Sequence, residues 1–518
     1  MRIASTKNTI RGVFFGVINK VLLIIVPFIT RSLLIYRIGA DYAGLSSLFT
    51  SILRVLNMAE LGFASAATYS LYKPVAEDDT EKICALLSFY RKIYNTIGIV
   101  ILLGGMAMIP FLDRLIKDSY PADISLQVLY VVYLIDSAAS YFLFSYKNLL
   151  LNAYQRVDII SNISTILHVV MYVAQIISIV VFRSYYAFVI CLVAFTISNN
   201  LIVARFVTYK YPQFSCRGEL SKGEKREIIK NSYGMLLFRI CQVTRNSLDT
   251  VFISAVMGLT ATTIYNNYYQ IFAGVLSIQI IIRESMKGGI GNKIALNSPE
   301  KNHEDMMVFM YLYAWLSGAC TACMLCLYQP FVRMWVGASL MLDERTMIMF
   351  CVYFYVTSMG SIRFLYHQAA GLFWTKRYWT VAEALINVVG NYFLIKIWGM
   401  LGIVCSTIIS LVTIDYFYST TIVYDHYFKN GKIGIYFKKH GIFLLITAAG
   451  CIPAYLLCKQ IELSGVLGLV VRIVVCVLVS NVIFYVGYRR LPEYNRAMEI
   501  VRRVVKMILK KTSIHANS

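Results

Sequence analysis

Charged side chains are scarce in this sequence. They make up 15% of its 518 residues, while 58% of the residues are hydrophobic and 14% are aromatic. In soluble domains about a quarter of the residues are charged. Apolar runs of roughly 20 residues, the length that crosses a bilayer, recur along the whole chain. The composition therefore excludes an ordinary soluble domain and predicts an all-α polytopic membrane protein.

Histidine and long polar loops are scarce as well. The six histidines are scattered, and the largest predicted external loops, 113–124 and 332–345, are too short for a folded domain. A membrane-embedded polymerase or glycosyltransferase would need a sizeable loop carrying carboxylates or a catalytic histidine. We therefore predict that the protein is not an enzyme, has no catalytic residues and needs no cofactor.

Cysteine, in contrast, is plentiful, and nearly all twelve cysteines lie in predicted spans. Cys320, Cys323 and Cys326 have CxxC spacing, which also occurs in metal sites. No histidine or carboxylate lies close to them in the sequence. We favour small buried packing residues over a metal site.

Acidic residues number 27 against 49 Lys and Arg, which gives a net charge of +22. Such an excess can indicate nucleic-acid binding. When the N-terminus is placed in the cytoplasm, however, most of the Lys and Arg residues fall on the cytoplasmic side of the predicted spans. Membrane topology accounts for the charge, so we predict no nucleic-acid partner and cytoplasmic N- and C-termini.

The apolar runs predict about fourteen transmembrane helices. They lie near residues 13–36, 44–68, 93–112, 126–147, 158–182, 185–207, 232–256, 263–285, 307–330, 346–367, 378–397, 400–424, 441–458 and 465–487. When Gly39 is aligned on Gly258, the first span matches the seventh, and Lys20 falls on Arg239. This internal repeat predicts two pseudo-symmetric six-helix lobes followed by two C-terminal helices.

The repeat divides the chain into five parts. They are an N-terminal lobe (1–208), a cytoplasmic inter-lobe loop (209–231), a C-terminal lobe (232–425), two extra transmembrane helices (426–488) and a basic cytoplasmic tail (489–518). The tail has the pattern of a basic amphipathic helix on the anionic inner leaflet. Its alternative role is to dock a cytoplasmic partner.

Several predicted spans contain cations. At about 100° per residue, five polar side chains of the seventh span share one face: Arg239, Gln242, Arg245, Asn246 and Asp249. Further cations lie in the first, second and fourteenth spans: Lys20, Arg31, Arg54 and Arg472. Ionisable residues in membranes usually face a bundle interior or a water-filled cavity. The alternatives are snorkelling of Lys20 and Arg31 and an Arg245–Asp249 pair.

Carboxylates are rarer in the spans, where the sequence has Asp136, Asp249, Glu383 and Asp415. Asp249, Glu383 and Asp415 are candidates for coupling an ion such as H⁺ or Na⁺. Glu383 shares a face with Asn387 and Asn391. That face predicts either an ion site or a polar seam between packed helices.

A cationic cavity would select an anionic cargo, and guanidinium groups match the oxygens of phosphate or pyrophosphate. The eighth span adds aromatic and amide side chains that suit sugar rings. With two residues of the seventh span, the predicted sugar-facing or polar lining is Gln242, Asn246, Tyr265, Asn266, Tyr269 and Gln270. The alternative for the tyrosines is an interfacial aromatic belt.

Two segments, INKVLLIIVPFITRSLLIYRIGADYAGLSSLFTSIL and RNSLDTVFISAVMGLTATTIYNNYYQI, resemble the polysaccharide transporter family. Its members are Wzx-type flippases for O-antigen and other lipid-linked oligosaccharides, in the MATE-like MOP superfamily. The resemblance implies alternating access of a central cavity in the bacterial cytoplasmic membrane. It also implies an undecaprenyl-pyrophosphate-linked oligosaccharide as cargo, for surface polysaccharide biosynthesis. The residues at positions that match its pyrophosphate-binding cations are Lys20, Arg31, Arg54, Arg239 and Arg245.

The resemblance also implies partners beyond the lipid-linked oligosaccharide: membrane lipids, a coupling ion and other polysaccharide assembly proteins. The alternative function is a MATE-like multidrug or cation antiporter. Such a transporter would be expected to have a carboxylate-rich cavity, which the excess of cations in the spans disfavours.

Overall fold

The structure of the protein is a computed structural model. It describes residues 26–58, 67–68, 70–75, 77–117, 120–154, 156–372, 375–429, 432–503 and 506. Within these residues the secondary structure is helical, with no strand, so the predicted all-α membrane fold is confirmed. The chain forms two compact units, Met1–Asn266 and Asn267–Ser518.

The first unit contains α1 (26–37), α2 (Ala40–Leu56), α3 (Thr80–Met108), α4 (Leu126–Phe142), α5 (Lys147–Ala153), α6 (Val157–Val180), α7 (Tyr185–Lys210), α8 (Lys222–Met257) and the beginning of α9 (Leu259–Leu296). Helix α4 is followed by α5 after a bend of 56°. Two glycines with positive φ, Gly39 (φ 147°) and Gly258 (φ 90°), form the short breaks before α2 and α9. These are the two positions that the internal repeat aligns.

The second unit contains the rest of α9, then α10 (Pro299–Val336), α11 (Glu344–Met359), α12 (Ser361–Ala369), α13 (Arg377–Trp398), α14 (Met400–Phe428), α15 (Ile433–Lys459) and α16 (Gly465–Tyr488). Helix α14 includes two π-helical segments, Leu411–Tyr418 and Tyr424–Phe428. The core of this unit is rich in aromatic side chains. Its fully buried members include Tyr311, Tyr366, Tyr436, Phe443 and Phe484.

Among the described residues, nine helices are long and apolar enough to cross a membrane, or ten if α4 and α5 form one bent span. The predicted count of fourteen is therefore not confirmed. Several helices extend well beyond the predicted spans. Helix α8 begins at Lys222 and α10 at Pro299, in each case after a serine whose side chain caps the helix. Hydropathy locates the apolar middle of a helix, but its ends are set by capping residues.

The basic tail is partly described, and residues 494–503 are helical. Arg496 pairs with Glu304 at 3.1 Å and with Asp305 at 2.9 Å, near the start of α10. Just before the tail helix, Lys439 of α15 forms an ion pair with Glu493. The described part of the tail is thus attached to its own unit by ion pairs.

The start of α8 gives a pH-dependent prediction. Ser221 and Glu224 form a reciprocal capping box. Hydrogen bonds from Lys82 and then Ser221 lower the pKa of the Glu224 carboxyl to about 2. A carboxyl with a lowered pKa adds stability above its unfolded pKa of about 4.3, and this contribution is lost as the pH falls towards 2.

We expect Glu224→Gln to lower the free energy of unfolding at pH 7 by no more than about 1 kcal/mol, because the side chain is partly exposed and screened. Thermal melts of the purified protein at pH 7, 5 and 3.5 would measure this. The difference from the wild type should shrink as the pH falls. A difference that grew instead would contradict the assigned ion pair.

Candidate functional site

Arg31 connects three helices of the first unit through polar contacts. Its guanidinium donates to the Ser47 hydroxyl of α2 and to the Thr263 carbonyl of α9, each at 3.4 Å. The Thr263 hydroxyl in turn donates to the Ala40 carbonyl at 2.6 Å. Arg31 therefore connects α1 with α2 and α9, in addition to its predicted part in binding an anion.

Arg54, in the last turn of α2, is exposed. It lies in the middle of the predicted second span, and within the described residues it makes no ion pair. A cation in an apolar span without a carboxylate partner is costly unless it faces water or an anion. Arg54 is thus a guanidinium whose donors are available to a ligand.

The other three predicted cations are not described in full. Lys20 lies outside the described residues. Arg239 and Arg245 lie on α8, whose backbone is helical throughout, but their side chains are outside the description. The same holds for Gln242 and Asn246. Their orientation towards one polar face stays a prediction.

Asp249, the predicted acid of the same helix, is 2% exposed and accepts a hydrogen bond from the Tyr265 hydroxyl at 3.0 Å. The next residue of α9, Asn266, donates to the Thr262 carbonyl at 2.9 Å and hydrogen-bonds the Thr250 side chain. Tyr265 and Asn266 therefore connect α9 to α8 by side-chain hydrogen bonds. Tyr265 is fully buried here, so it lines no open surface in this conformation.

Of the remaining predicted sugar-facing residues, Tyr269 and Gln270 belong to the second unit. The Tyr269 ring stacks on Phe272, with the ring centroids 5.5 Å apart, and both Tyr269 and Gln270 are partly exposed. They can contact a ligand in this conformation. Their role in binding sugar stays a prediction.

The second unit contains a cluster of charged residues, of which the sequence analysis identified only Asp415 and Glu383. Asp415 of α14 pairs with Arg363 of α12 and, at 2.6 Å, with Lys376, the residue before α13. Lys376 also lies 3.9 Å from Glu383. The side chains of Arg363 and Lys376 are only 2% and 3% exposed. Two cations and two carboxylates thus form a closed, neutral group, which we call the Asp415 cluster.

A π-helical segment positions Asp415 in this cluster. Within Leu411–Tyr418 each turn contains an extra residue, which rotates the side chains relative to an α-helix, and such segments often occur at functional sites. The carbonyls of Asp415 and Tyr416 accept hydrogen bonds from Arg363, and the Thr420 hydroxyl accepts another at 3.2 Å. Arg363 therefore both neutralises Asp415 and satisfies backbone acceptors of the irregular helix.

Arg363 and Lys376 were not among the predicted site residues, yet both side chains are buried. The sequence does contain a signal that predicts a cationic partner for Asp415. Asp415 lies alone in a long apolar run, and a carboxylate at that depth needs a partner. Arg363 and Lys376 flank the connection between two adjacent predicted spans and are well placed to supply that partner.

The two asparagines near Glu383 lie in a seam between α13 and α14. Asn387 donates to the Thr407 hydroxyl at 3.0 Å, and Asn391 donates to Asn387 at 3.5 Å. The Ser406 hydroxyl donates to the Asn387 carbonyl at 2.9 Å. These bonds are those of the predicted packing seam, while Glu383 belongs to the Asp415 cluster through its contact with Lys376.

Arg472 of α16 has a structural role. Its guanidinium donates to the carbonyls of Cys458, Ile461 and Leu463, which belong to the C-terminal end of α15 and the turn after it. The last carbonyls of a helix have no partner within the helix, and cations near them are favourable. Arg472 thus satisfies the end of α15.

Taken together, the four acids that were predicted in the spans each have a protein partner. Asp249 bonds Tyr265, Asp136 bonds Thr196, and Glu383 and Asp415 pair with Lys376. Among the described residues, no group of three or more His, Cys, Asp or Glu side chains is arranged to hold a metal ion. In this conformation Arg54 is exposed in the predicted second span, whereas the four predicted acids of the spans are bonded to protein groups.

The fold is similar to those of a lipid II flippase and of MATE transporters of the MOP superfamily, in line with the predicted MATE-like resemblance. The chain is similar to the lipid II flippase MurJ in its inward closed conformation, with a TM-score of 0.67 and 13% identity over 92% of this chain and 99% of that one. It is also similar to an inward-facing multidrug resistance MATE family transporter, with a TM-score of 0.61 and 12% identity over 76% of this chain and 93% of that one.

The outward-facing conformation of a multidrug resistance MATE family transporter matches with a TM-score of 0.52 and 12% identity, over 78% of this chain and 93% of that one. No family model and no curated protein matches the sequence. At these identities the likeness shows the fold. The protein is therefore a multi-pass membrane protein whose fold is similar to those of these transporters.

Proposed function

We propose that the protein is a flippase that moves undecaprenyl-pyrophosphate-linked oligosaccharide repeat units across the bacterial cytoplasmic membrane, for surface polysaccharide biosynthesis. It works by alternating access, with both termini in the cytoplasm. It is a transporter and not an enzyme. A coupling ion, H⁺ or Na⁺, or consumption of the cargo outside gives the transport its direction.

The observation that carries this proposal is the charge of the described spans. Arg54 is exposed and has no carboxylate partner there, whereas the acids of the spans are bonded to protein groups. A drug or cation antiporter needs carboxylates that can receive a cation. An available guanidinium instead suits a phosphate-bearing cargo, whose oxygens match its fork of donors.

The comparisons are consistent with a flippase and with a MATE-like antiporter. The MurJ structure, whose printed name is that of a lipid II flippase, matches over 92% of this chain, while the two MATE structures described above match over 76% and 78%. The choice of cargo class therefore rests on the charges of the described spans. Alternating access accords with the existence of inward-facing and outward-facing forms of the MATE fold.

The test is transport by purified protein in proteoliposomes that contain a fluorescent polyprenyl-pyrophosphate oligosaccharide. Flipping is measured as the fraction of fluorophore that an impermeant quencher reaches with time. Arg54→Ala should slow flipping about tenfold or more, because a hydrogen bond to a charged group contributes about 1.5–3 kcal/mol. Arg54→Lys should retain part of the rate because it keeps the charge.

The matched control is Lys210→Ala, an exposed cation in the last turn of α7 of the same unit, which should flip at the wild-type rate. The same vesicles with a cationic dye and a proton gradient test the antiporter. Dye transport without lipid flipping would contradict the proposal, as would an unchanged flipping rate in Arg54→Ala.

A further inference from the structure

A small core in the second unit consists mainly of cysteines. Four of its six buried residues are Cys326, Cys451, Cys458 and Cys476, and Cys323 packs against them. They come from three helices, α10, α15 and α16. Members of the sequence motif Cys320, Cys323 and Cys326 therefore pack against cysteines of the two C-terminal helices.

The cysteine side chains of this core pack beside one another. Cys326 lies within interaction range of Cys458 and of Cys476, and Cys323 lies within interaction range of Cys476. All of these cysteines are free thiols. The Cys458 thiol also donates a weak hydrogen bond to the Arg472 carbonyl at 3.6 Å. Cys326 thus lies beside cysteines of both C-terminal helices.

Two of these buried cysteines line a cavity. A cavity of about 680 Å³ lies between the ends of α10, α15 and α16, and both Cys326 and Cys458 line it. Its wall includes charged side chains, among them Arg333, Glu344 and Lys459. The cavity can therefore hold water and small polar reagents. Cys451 and Cys476 do not line it. Cys326 and Cys458 are therefore the pair of this core that borders the cavity.

We propose that Cys326 and Cys458 form a reversible disulfide by exchange with a small-molecule disulfide that enters this cavity. The Cys458 thiol, after loss of its proton, attacks the reagent R–S–S–R, forms Cys458–S–S–R and releases one R–SH. Cys326 then loses its proton, attacks the Cys458 sulfur and releases the second R–SH. The two cysteines lose two electrons, and the reagent disulfide gains them.

The bridge links α10 to α15 covalently. It holds the two C-terminal helices on the rest of their unit, because α16 is connected to α15 by only a short turn. A covalent link between distant parts of the chain restricts the unfolded state, which stabilises the folded one. Oxidised protein should therefore melt a few degrees higher than reduced protein.

The experiment treats the purified full-length protein with oxidised glutathione or with dithiothreitol. Each sample is then denatured and alkylated with N-ethylmaleimide, and its intact mass and cross-linked peptides are measured. The oxidised wild type should carry two fewer alkyl groups than the reduced protein, and its peptides should contain a Cys326–Cys458 bridge. Cys458→Ser should abolish that bridge, and Cys405→Ser, on α14, should leave it unchanged.

Cys476→Ser separates the pair that borders the cavity from the rest of the core, and it should still form the Cys326–Cys458 bridge. Each variant is first checked for a single folded peak by size-exclusion chromatography. Three results would overturn the proposal: full alkylation after oxidation, glutathione adducts without a bridge, or a bridge between other cysteines. None of these readouts depends on transport.

Discussion

Asp415→Ala is expected to prevent the protein from accumulating in a folded form. The substitution leaves Arg363 and Lys376 buried, and Glu383 alone would have to balance two cations. Removing one partner of a buried ion pair costs about 3–5 kcal/mol, a large part of the roughly 5–15 kcal/mol that stabilises a typical domain. A fluorescent-protein fusion followed by size-exclusion chromatography and thermal melting would measure the loss.

The matched control is Asp425→Ala, which removes an exposed carboxylate from the same helix and should have little effect. The double variant Asp415→Asn/Lys376→Met removes one charge of each sign, so it should fold better than Asp415→Ala. If Asp415→Ala melted within a degree or two of the wild type, the Asp415 cluster would not be the stabilising element that its burial and pairing indicate.

The same cluster constrains how an ion could be coupled to transport. Asp415 and Glu383 were both predicted as coupling sites, and that role stays a proposal. In this conformation Lys376 contacts both carboxylates. H⁺ or Na⁺ would therefore have to displace the lysine ammonium from Asp415 or Glu383. Coupling at this site would be an exchange of a fixed cation for a mobile one, accompanied by movement of Lys376.

The sequence could predict the charged residues of this cluster only in part. Asp415 and Glu383 stand out because an acid in an apolar run is rare. Their partners do not, because Arg363 and Lys376 lie next to a predicted cytoplasmic loop, where cations are expected. That both turn inward depends on the break at Gly360 between α11 and α12 and on the π-helical turns of α14. Neither feature follows from hydropathy.

The polar residues of the first unit could likewise be predicted from the sequence only in part. Arg31 and Asp249 were predicted from their position in apolar spans, and both lie among helices in the structure. Their contacts with Ser47, Thr263 and Tyr265 could not be predicted, because helical periodicity assigns a face to a side chain but not a neighbour. The repeat of a glycine break, at Gly39 and Gly258, was visible in the sequence alone.

Gly44→Ala should disrupt the contacts that connect α1, α2 and α9 around Arg31, and it should therefore slow transport. A Cβ atom at Gly44 would lie 2.4 Å from the carbonyl oxygen of Leu259, which is backbone and cannot rotate away. Helix α2 and the start of α9 would have to separate. Two hydrogen bonds join these segments, from Thr260 to Asp41 at 2.5 Å and from Thr263 to Ala40 at 2.6 Å. Overpacking of this kind costs about 1–3 kcal/mol.

The matched control is Gly104→Ala on α3 of the same unit, where a new Cβ would meet only the flexible end of Leu56, at 3.4 Å. This control should melt at or slightly above the wild-type temperature, because alanine favours a helix over glycine. Gly44→Ala should melt several degrees lower and flip the lipid more slowly, since the shift moves Arg31 away from Ser47 and Thr263. Equal melting of the two variants would mean that α2 and α9 can separate at that point without loss. The close contact at Gly44 would then not be what holds Arg31 in place.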